Sequence, residues 1–358
     1  MKFAFIESWI AGRIHRRSCE AYRSANQARE RTSDSYRCHS SLLYTLCVYS
    51  RSNNKKSHFI NNFWRKFYRY SFVLLVLFQI SDGHTETFQG REYDIHIGGN
   101  TGAGAPAVFL LHGGKSDGKT LRRLIRFDEF ADEFEVVAVY PSSPDKYWND
   151  GRGVELGSEA DRDDAKYLAN LIEHLSQRGL VDPGRVYFSG ISNGGGMSIR
   201  IACEYPELVA GIAVIATKLF RPFHCPGYKP IPALFFHGTE DLISPHEGRK
   251  TGREGRGFRN KGKTYSSQQT IDIWKGKNEC ATTSDPISID SVPDDGTSVR
   301  LTTYHECSAP LKYYEIIGGG HTWPGARVPE KRFLQRLIGP TSQEVNAGLE
   351  ALRVWLND

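Results

Sequence analysis

Arg185-Val-Tyr-Phe-Ser-Gly190-Ile-Ser192-Asn-Gly-Gly-Gly196 is the stretch whose reading decides how this chain folds. A β-type apolar run ends at Ser189, a helix-like run extends from Asn193 to Tyr205, and Gly190-Ile-Ser192-Asn193-Gly194 joins them as G-x-S-x-G. In a nucleophile elbow the serine occupies a strained strand-to-helix turn, and the flanking glycines are required because side chains there would clash. The five-residue pattern alone is common, and a serine in a glycine-rich turn is usually just a turn residue. The strand before it and the helix after it make Ser192 a candidate nucleophile. Gly195 and Gly196 allow that helix to pack closely on neighbouring strands.

Working outward, strand-like and helix-like segments alternate from about residue 84, the signal for a mainly parallel sheet with helices on its faces. Phe88 to Ile97 alternates and reads as an entry strand, and Ala107-Val-Phe-Leu-Leu111 is a continuous apolar run, as expected of a strand buried on both faces. Thr120 to Phe134 reads as a charged helix, Val136 to Tyr140 as a second buried strand, and Pro141 to Gly157 as a long polar loop. Leu168, Leu171, Ile172 and Leu175 stand at i, i+3, i+4 and i+7, an amphipathic helix that Pro183-Gly184 terminates. Val209–Ala216, Ile231–Phe236 and Lys312–Ile317 follow as strands, and Val345 to Leu356 closes as a helix. There is no internal repeat. Residues 84–358 are expected to form one α/β domain, with a mainly parallel central sheet and helices on both faces.

A serine hydroxyl needs a base to become nucleophilic near neutral pH, and in this architecture the partners follow in the order Ser, Asp or Glu, His. Asp241 lies in His237-Gly-Thr-Glu-Asp241 just past one strand, and His321 lies in Gly318-Gly-Gly-His321-Thr-Trp-Pro just past another. Three strand ends thus present the three residue types at one sheet edge. Glu240 is the rival to Asp241. His246 and His305 do not follow strand ends and read as surface residues, while His237 reads as a local packing or hydrogen-bonding residue. The oxyanion donors expected are the N–H of Asn193 and an N–H from Gly113 or Gly114, in the loop after Leu111. His112 suits a structural hydrogen bond better than a base.

Charge is unevenly distributed. Residues 1–70 hold 14 of the 46 Lys and Arg and 4 of the 41 Asp and Glu, so this stretch is strongly basic and the remainder is net acidic. A nucleic-acid reading would therefore rest on the extension alone, and no nucleic-acid partner is expected of the folded body. Lys55-Lys56, Arg65-Lys66 and Arg69 precede the apolar run Ser71–Ile80 and the small residues Ser81-Asp82-Gly83. Residues 61–83 thus carry the three parts of a secretory signal, and the run is short of the roughly 20 residues of a membrane span. A signal begins about 15–30 residues before its cleavage site, and Met1 lies well upstream of that. Either residues 1–60 are not part of the natural protein, or the run is an internal anchor. A buried strand would leave the basic flank without a role. Export is expected, with no stable membrane span after signal removal.

Cys203, Cys225, Cys280 and Cys307 contain no C-x-x-C pair and suit two disulfides better than a zinc site. Proximity in sequence favours Cys203–Cys225 and Cys280–Cys307 among the three connectivities. Residues 248–263 set Arg249, Lys250, Arg253, Arg256, Arg259, Lys261 and Lys263 among glycines, most simply a solvated loop. Gly98–Gly104 precedes a strand instead of joining a strand to a helix, so it is no dinucleotide loop, and neither H-E-x-x-H nor a full Walker loop occurs. No metal and no organic cofactor are expected.

Leu111-His-Gly-Gly114, Trp148-Asn-Asp-Gly151, Val181-Asp-Pro-Gly-Arg-Val-Tyr187, Gly190–Gly195, His237–Asp241 and Gly319-Gly-His-Thr-Trp-Pro-Gly325 together resemble the polyhydroxybutyrate depolymerase and feruloyl esterase-like carboxylesterases. The resemblance spans roughly residues 86–325, and its last motif is the most specific. It implies an α/β-hydrolase fold and extracellular hydrolysis of a carboxylic ester, small or polymeric, through Ser192, Asp241 and His321 without a cofactor. It also implies that Trp148, Asn149 and Trp323 line the substrate cleft. Lys115-Ser-Asp-Gly departs from the small residues common after the family's His-Gly-Gly, which leaves the pocket mouth and the substrate open. The alternative from another class is an inactive module of the same fold that binds a polymer such as polysaccharide.

Overall fold

The computed structural model describes residues 84–358 apart from 154–161, 252–261, 293–294, 330 and 357–358. The extension 1–60, the signal-like segment 61–83 and most of the basic stretch 248–263 lie outside the described residues.

The sheet is built from β1 (His84–Phe88), β2 (Arg91–Ile97), β3 (Ala105–Leu111), β4 (Val137–Pro141), β5 (Val181–Ile191), β6 (Gly211–Ile215), β7 (Ala233–Gly238), β8 (Thr282–Thr283), β9 (Ile287–Ile289), β10 (Ser298–His305) and β11 (Leu311–Ile317). Their order is β1-β2-β4-β3-β5-β6-β7-β11-β10-β8, with β9 beside β10. From β4 to β11 neighbouring strands are parallel, while β2 against β4 and β10 against β11 are antiparallel. The helices are α1 (Gly118–Ile125), α2 (Asp128–Glu133), α3 (Asp164–Gln177), α4 (Asn193–Glu204), α5 (Ser267–Lys277), α6 (Arg332–Ile338) and α7 (Ala347–Leu356). Strand order and helix placement are those of an α/β-hydrolase fold.

The unbroken apolar strands have a simple cause. Successive side chains enter two different cores, each sealed by helices. Phe109, Leu111, Val139, Phe188, Val214 and Phe235 face α3 and α4, where Leu168, Leu171, Ile172, Leu175, Met197 and Ile201 cover them. Val108, Leu110, Ala138, Tyr187, Ile215 and Phe236 face the other way, toward Leu121 and Ile125 of α1 and Leu352 and Trp355 of α7.

Three sequence expectations are corrected. The entry strand is a hairpin, because Gln89 (φ 48°) and Gly90 (φ 74°) turn β1 back onto β2. The single helix expected over Thr120–Phe134 is two, because Arg126 adopts a left-handed conformation (φ 53°) and closes α1. β5 starts at Val181, since Pro183 and Gly184 lie at its exposed beginning. The structure also contains α5 and β10, which no apolar periodicity announced. Among the described residues two disulfides are present, Cys203–Cys225 and Cys280–Cys307, with Cα–Cα separations of 4.7 and 3.9 Å.

Candidate active site

Parallel strands bring their carboxyl ends, and the loops that follow, to one edge. β3 delivers His112–Gly114 there, β5 Ser192, β6 Lys218, β7 Asp241 and β11 His321.

Ser192 sits between β5 and α4 at φ 56°, ψ −116°, a conformation rare outside glycine. Its N–H donates to Ile215 O at 2.8 Å, and its carbonyl accepts the Gly196 N–H at 3.0 Å. The turn depends on its glycines. A Cβ on Gly190 would lie 2.4 Å from Gly194 C and O, and one on Gly194 would lie 2.2 Å from Leu111 O.

The β7 and β11 loops are stitched together. Thr239 N donates to Ile316 O, Glu240 N to Gly319 O and Gly318 N to Thr239 Oγ1, each at 2.9 Å. This brings His321 Nδ1 to 2.7 Å from Asp241 Oδ2. Asp241 Oδ1 in turn accepts the N–H groups of Ile243 and Ser244, at 2.9 and 2.6 Å. Burial alone would raise the Asp241 carboxyl. The imidazole of His321, His237 and the Ser244 N–H outweigh it and hold the pKa at about 2. An ionised Asp241 fixes the proton of neutral His321 on Nδ1 and leaves Nε2 as an acceptor. Glu240, the rival acid, is exposed.

The N–H of Asn193 lies in the first turn of α4, where the helix supplies no acceptor. Gly113 lies beside Ser192; a Cβ there would be 3.6 Å from Ser192 Cβ. Gly114 is packed against the Tyr147 ring, only 2.5 Å from where its Cβ would be. The Asn193 side chain is fully engaged, with Oδ1 accepting Trp148 N at 2.6 Å and Nδ2 donating to Trp148 O at 2.9 Å and Asp150 Oδ2 at 2.7 Å.

Trp148 and Trp323 are both buried. They are 2% and 1% exposed, leaving almost no surface for a substrate. Trp148 instead braces the site. Its backbone grips Asn193, its indole Nε1 donates to His112 O at 3.1 Å, and its ring stands 5.1 Å from that of His112. Trp148 thus joins the two loops that carry Gly113 and Asn193. Asn149 is also turned to structural use: its N–H donates to Asp164 Oδ2 at 2.6 Å and its Nδ2 to Arg162 O at 2.9 Å.

The other histidines sort by environment. His112 is buried, accepts the Ser143 N–H on Nε2 and places Nδ1 at 2.8 Å from Gly113 O, and burial lowers its pKa to about 4. His237 is buried beside Asp241, and burial lowers its pKa to about 3. His305 is exposed. His246, expected at the surface, is half-buried between Glu315 at 3.2 Å and Tyr313 OH at 3.0 Å. Sequence reasoning passed over Lys218, which is 1% exposed, and Asp150, whose side chain ties Arg152 to Asn193. A charged residue three positions after a buried strand was the available signal for Lys218.

Residues 95–226 match the family described as Esterase PHB depolymerase. The chain is 26% identical to a putative esterase, NocK, of Nocardia uniformis subsp. tsuyamanensis, over 72% of this chain and 76% of that protein. It is 34% identical to feruloyl esterase B of Piromyces equi over 25% of this chain and 17% of that protein. With poly(3-hydroxyalkanoate) depolymerase C of Paucimonas lemoignei it shares 24% identity over 63% of this chain and 51% of that protein. The chain therefore spans only part of the latter two. Fold and similarity agree: the chain has an α/β-hydrolase fold, and its residues 95–226, a stretch that includes the Ser192 turn, are similar to the family described as Esterase PHB depolymerase.

Proposed function

We propose that the chain is an exported serine carboxylesterase, with residues 84–358 as its catalytic domain. The observation that carries this reading is the 2.7 Å contact of His321 Nδ1 with a buried, ionised Asp241, on the sheet edge that also holds Ser192 in its strained turn. In the proposed reaction Ser192 Oγ attacks the ester carbonyl and passes its proton to His321 Nε2. The tetrahedral oxyanion is met by the N–H of Asn193 and an N–H of Gly113 or Gly114. Collapse breaks the ester C–O bond, the alcohol leaves with the proton from His321, and water hydrolyses the acyl-enzyme by the same steps.

The relatives suggest a polyhydroxyalkanoate, or a feruloyl or acetyl ester of a plant polysaccharide, as substrate. Export is supported by the two disulfides, which persist in oxidising compartments, and by the signal-like composition of residues 61–83.

Ser192→Ala is expected to abolish hydrolysis of short p-nitrophenyl esters and covalent labelling by an organophosphonate, with the thermal transition retained. Unchanged turnover by the folded variant would sink the assignment. Absence of labelling in the wild-type protein would favour a binding module instead.

A further inference from the structure

Behind Asp241 lies a charge that the proposed reaction does not use. Lys218, in the loop after β6, is among the largest fully buried side chains of the protein. Lysine is almost never fully buried without a partner, and the partners here are a hydroxyl and a carbonyl instead of a carboxylate. Lys218 Nζ donates to Ser244 Oγ at 2.9 Å and to Ser244 O at 3.0 Å, and stands 3.4 Å from His237 Nε2.

Both contacts lead to the same carboxylate. Ser244 N donates to Asp241 Oδ1, and His237 Nε2 lies 3.5 Å from Asp241 Oδ2, the oxygen that faces His321. The loops after β6, β7 and β11 therefore meet around Asp241, the first bringing an ammonium that its charge acts on and the last the histidine. Asp241 and Glu247 favour the charge on Lys218, and Arg249 opposes it. Asp241 itself is faced by His321 and by His237, which has His246 beside it, and its charge acts on Lys218.

We infer that Lys218 is a positioning residue of the site: it holds the Ser244 corner that grips Asp241, and its cation competes with the His321 imidazolium for the Asp241 charge. The inference rests on the serine-esterase reading. Its consequence is a weaker hold on the imidazolium that forms when His321 takes the Ser192 proton, which is read in the acid limb of the pH profile. Burial draws the lysine down to about 7, so the cation is present on the acid side of neutrality, where a histidine base loses activity.

The test is the pH dependence of kcat/KM on a short p-nitrophenyl ester for the wild-type chain, Lys218→Met, Lys218→Gln, Ser244→Ala and Ser192→Ala, with active sites counted by phosphonate titration. Both lysine variants are expected to move the acid limb upward by about half a pH unit or more, with KM nearly constant. A structural defect would lower the active-site count without moving the limb. Ser244→Ala removes the ammonium's hydroxyl partner but keeps the N–H on Asp241. It weakens the cation and is expected to shift the limb in the same direction, which keeps the test decisive if the lysine variants do not fold. An unmoved limb in any folded one of these three variants, beside an inactive Ser192→Ala, overturns the inference alone. Turnover by Ser192→Ala overturns the reading beneath it.

Discussion

Gly238 ends β7 against the loop that carries His321, so Gly238→Ala measures how closely the Asp241–His321 pair depends on its backbone. A Cβ there would lie 2.2 Å from Gly319 O and 2.5 Å from Gly320 O, where ordinary contact begins at 3.4 Å. One loop must retreat by about 1.2 Å, the difference between the first and last of those distances. Gly320 gives no room in the other direction, because a Cβ on it would already lie 2.1 Å from Ile338 O. The His321–Asp241 contact of 2.7 Å then opens to roughly 3.7–3.9 Å, beyond hydrogen-bonding range. Misplacing a catalytic group by about 1 Å costs on the order of 100-fold, and losing the histidine's orientation altogether costs about 10⁴-fold. The expected loss in kcat lies between those bounds. Overpacking should cost about 1–3 kcal/mol of stability, leaving the variant folded. The assay is kcat and KM on a p-nitrophenyl ester, with the thermal midpoint from circular dichroism and Gly99→Ala as control, since a Cβ on Gly99 meets nothing within 4 Å. A folded Gly238→Ala with wild-type kcat would refute the claim that this backbone contact sets the pair.

Trp148→Phe keeps an aromatic ring but deletes the indole donor to His112 O. We expect about 1–3 kcal/mol of stability lost to the unpaired carbonyl, and kcat lowered about tenfold at constant KM as the oxyanion loops loosen; a raised KM at constant kcat would return Trp148 to the cleft. Acid sensitivity follows from His112 and His237, whose pKa values are lowered to about 4 and about 3. Both are depressed below the unfolded value, so the unfolded chain binds protons first and stability falls as pH drops below about 6.5, by up to ~1.4 kcal/mol per pH unit for each histidine. Urea midpoints that do not fall between about pH 6.5 and pH 4.5 would contradict the buried, neutral state of these two residues.

The sequence disclosed what is local and what recurs. β3, β6, β7 and β11 were legible because strands covered on both faces read as unbroken apolar runs, and the strand-to-helix turn at Ser192 because a strand, two glycines and a helix surround it. β10 escaped because only Val299 and Tyr304 along it are buried, so it carries no apolar run. The β1–β2 hairpin escaped because its turn, Gln89-Gly90, begins with a non-glycine at positive φ. At the site, residue type was readable and direction was not. A tryptophan beside a catalytic motif serves equally well as a wall or as a brace, and what distinguishes them for Trp148 is hydrogen bonding to Asn193, 45 residues away, and to His112, 36 residues away.

Lys218 shows the same limit from the opposite side. A buried lysine is costly unless its charge is answered, and what answers it, Ser244 and beyond it Asp241, belongs to the loop of a neighbouring strand. No periodicity encodes such a contact, because parallel strands place consecutive sheet neighbours at the same edge whatever their separation in sequence. The groups around Asp241 come from three such loops, so its carboxylate cannot be moved without disturbing Lys218, Ser244 or His321. That shared dependence is why Asp241 is expected to respond to a substitution at Lys218, which lies in the loop of a neighbouring strand.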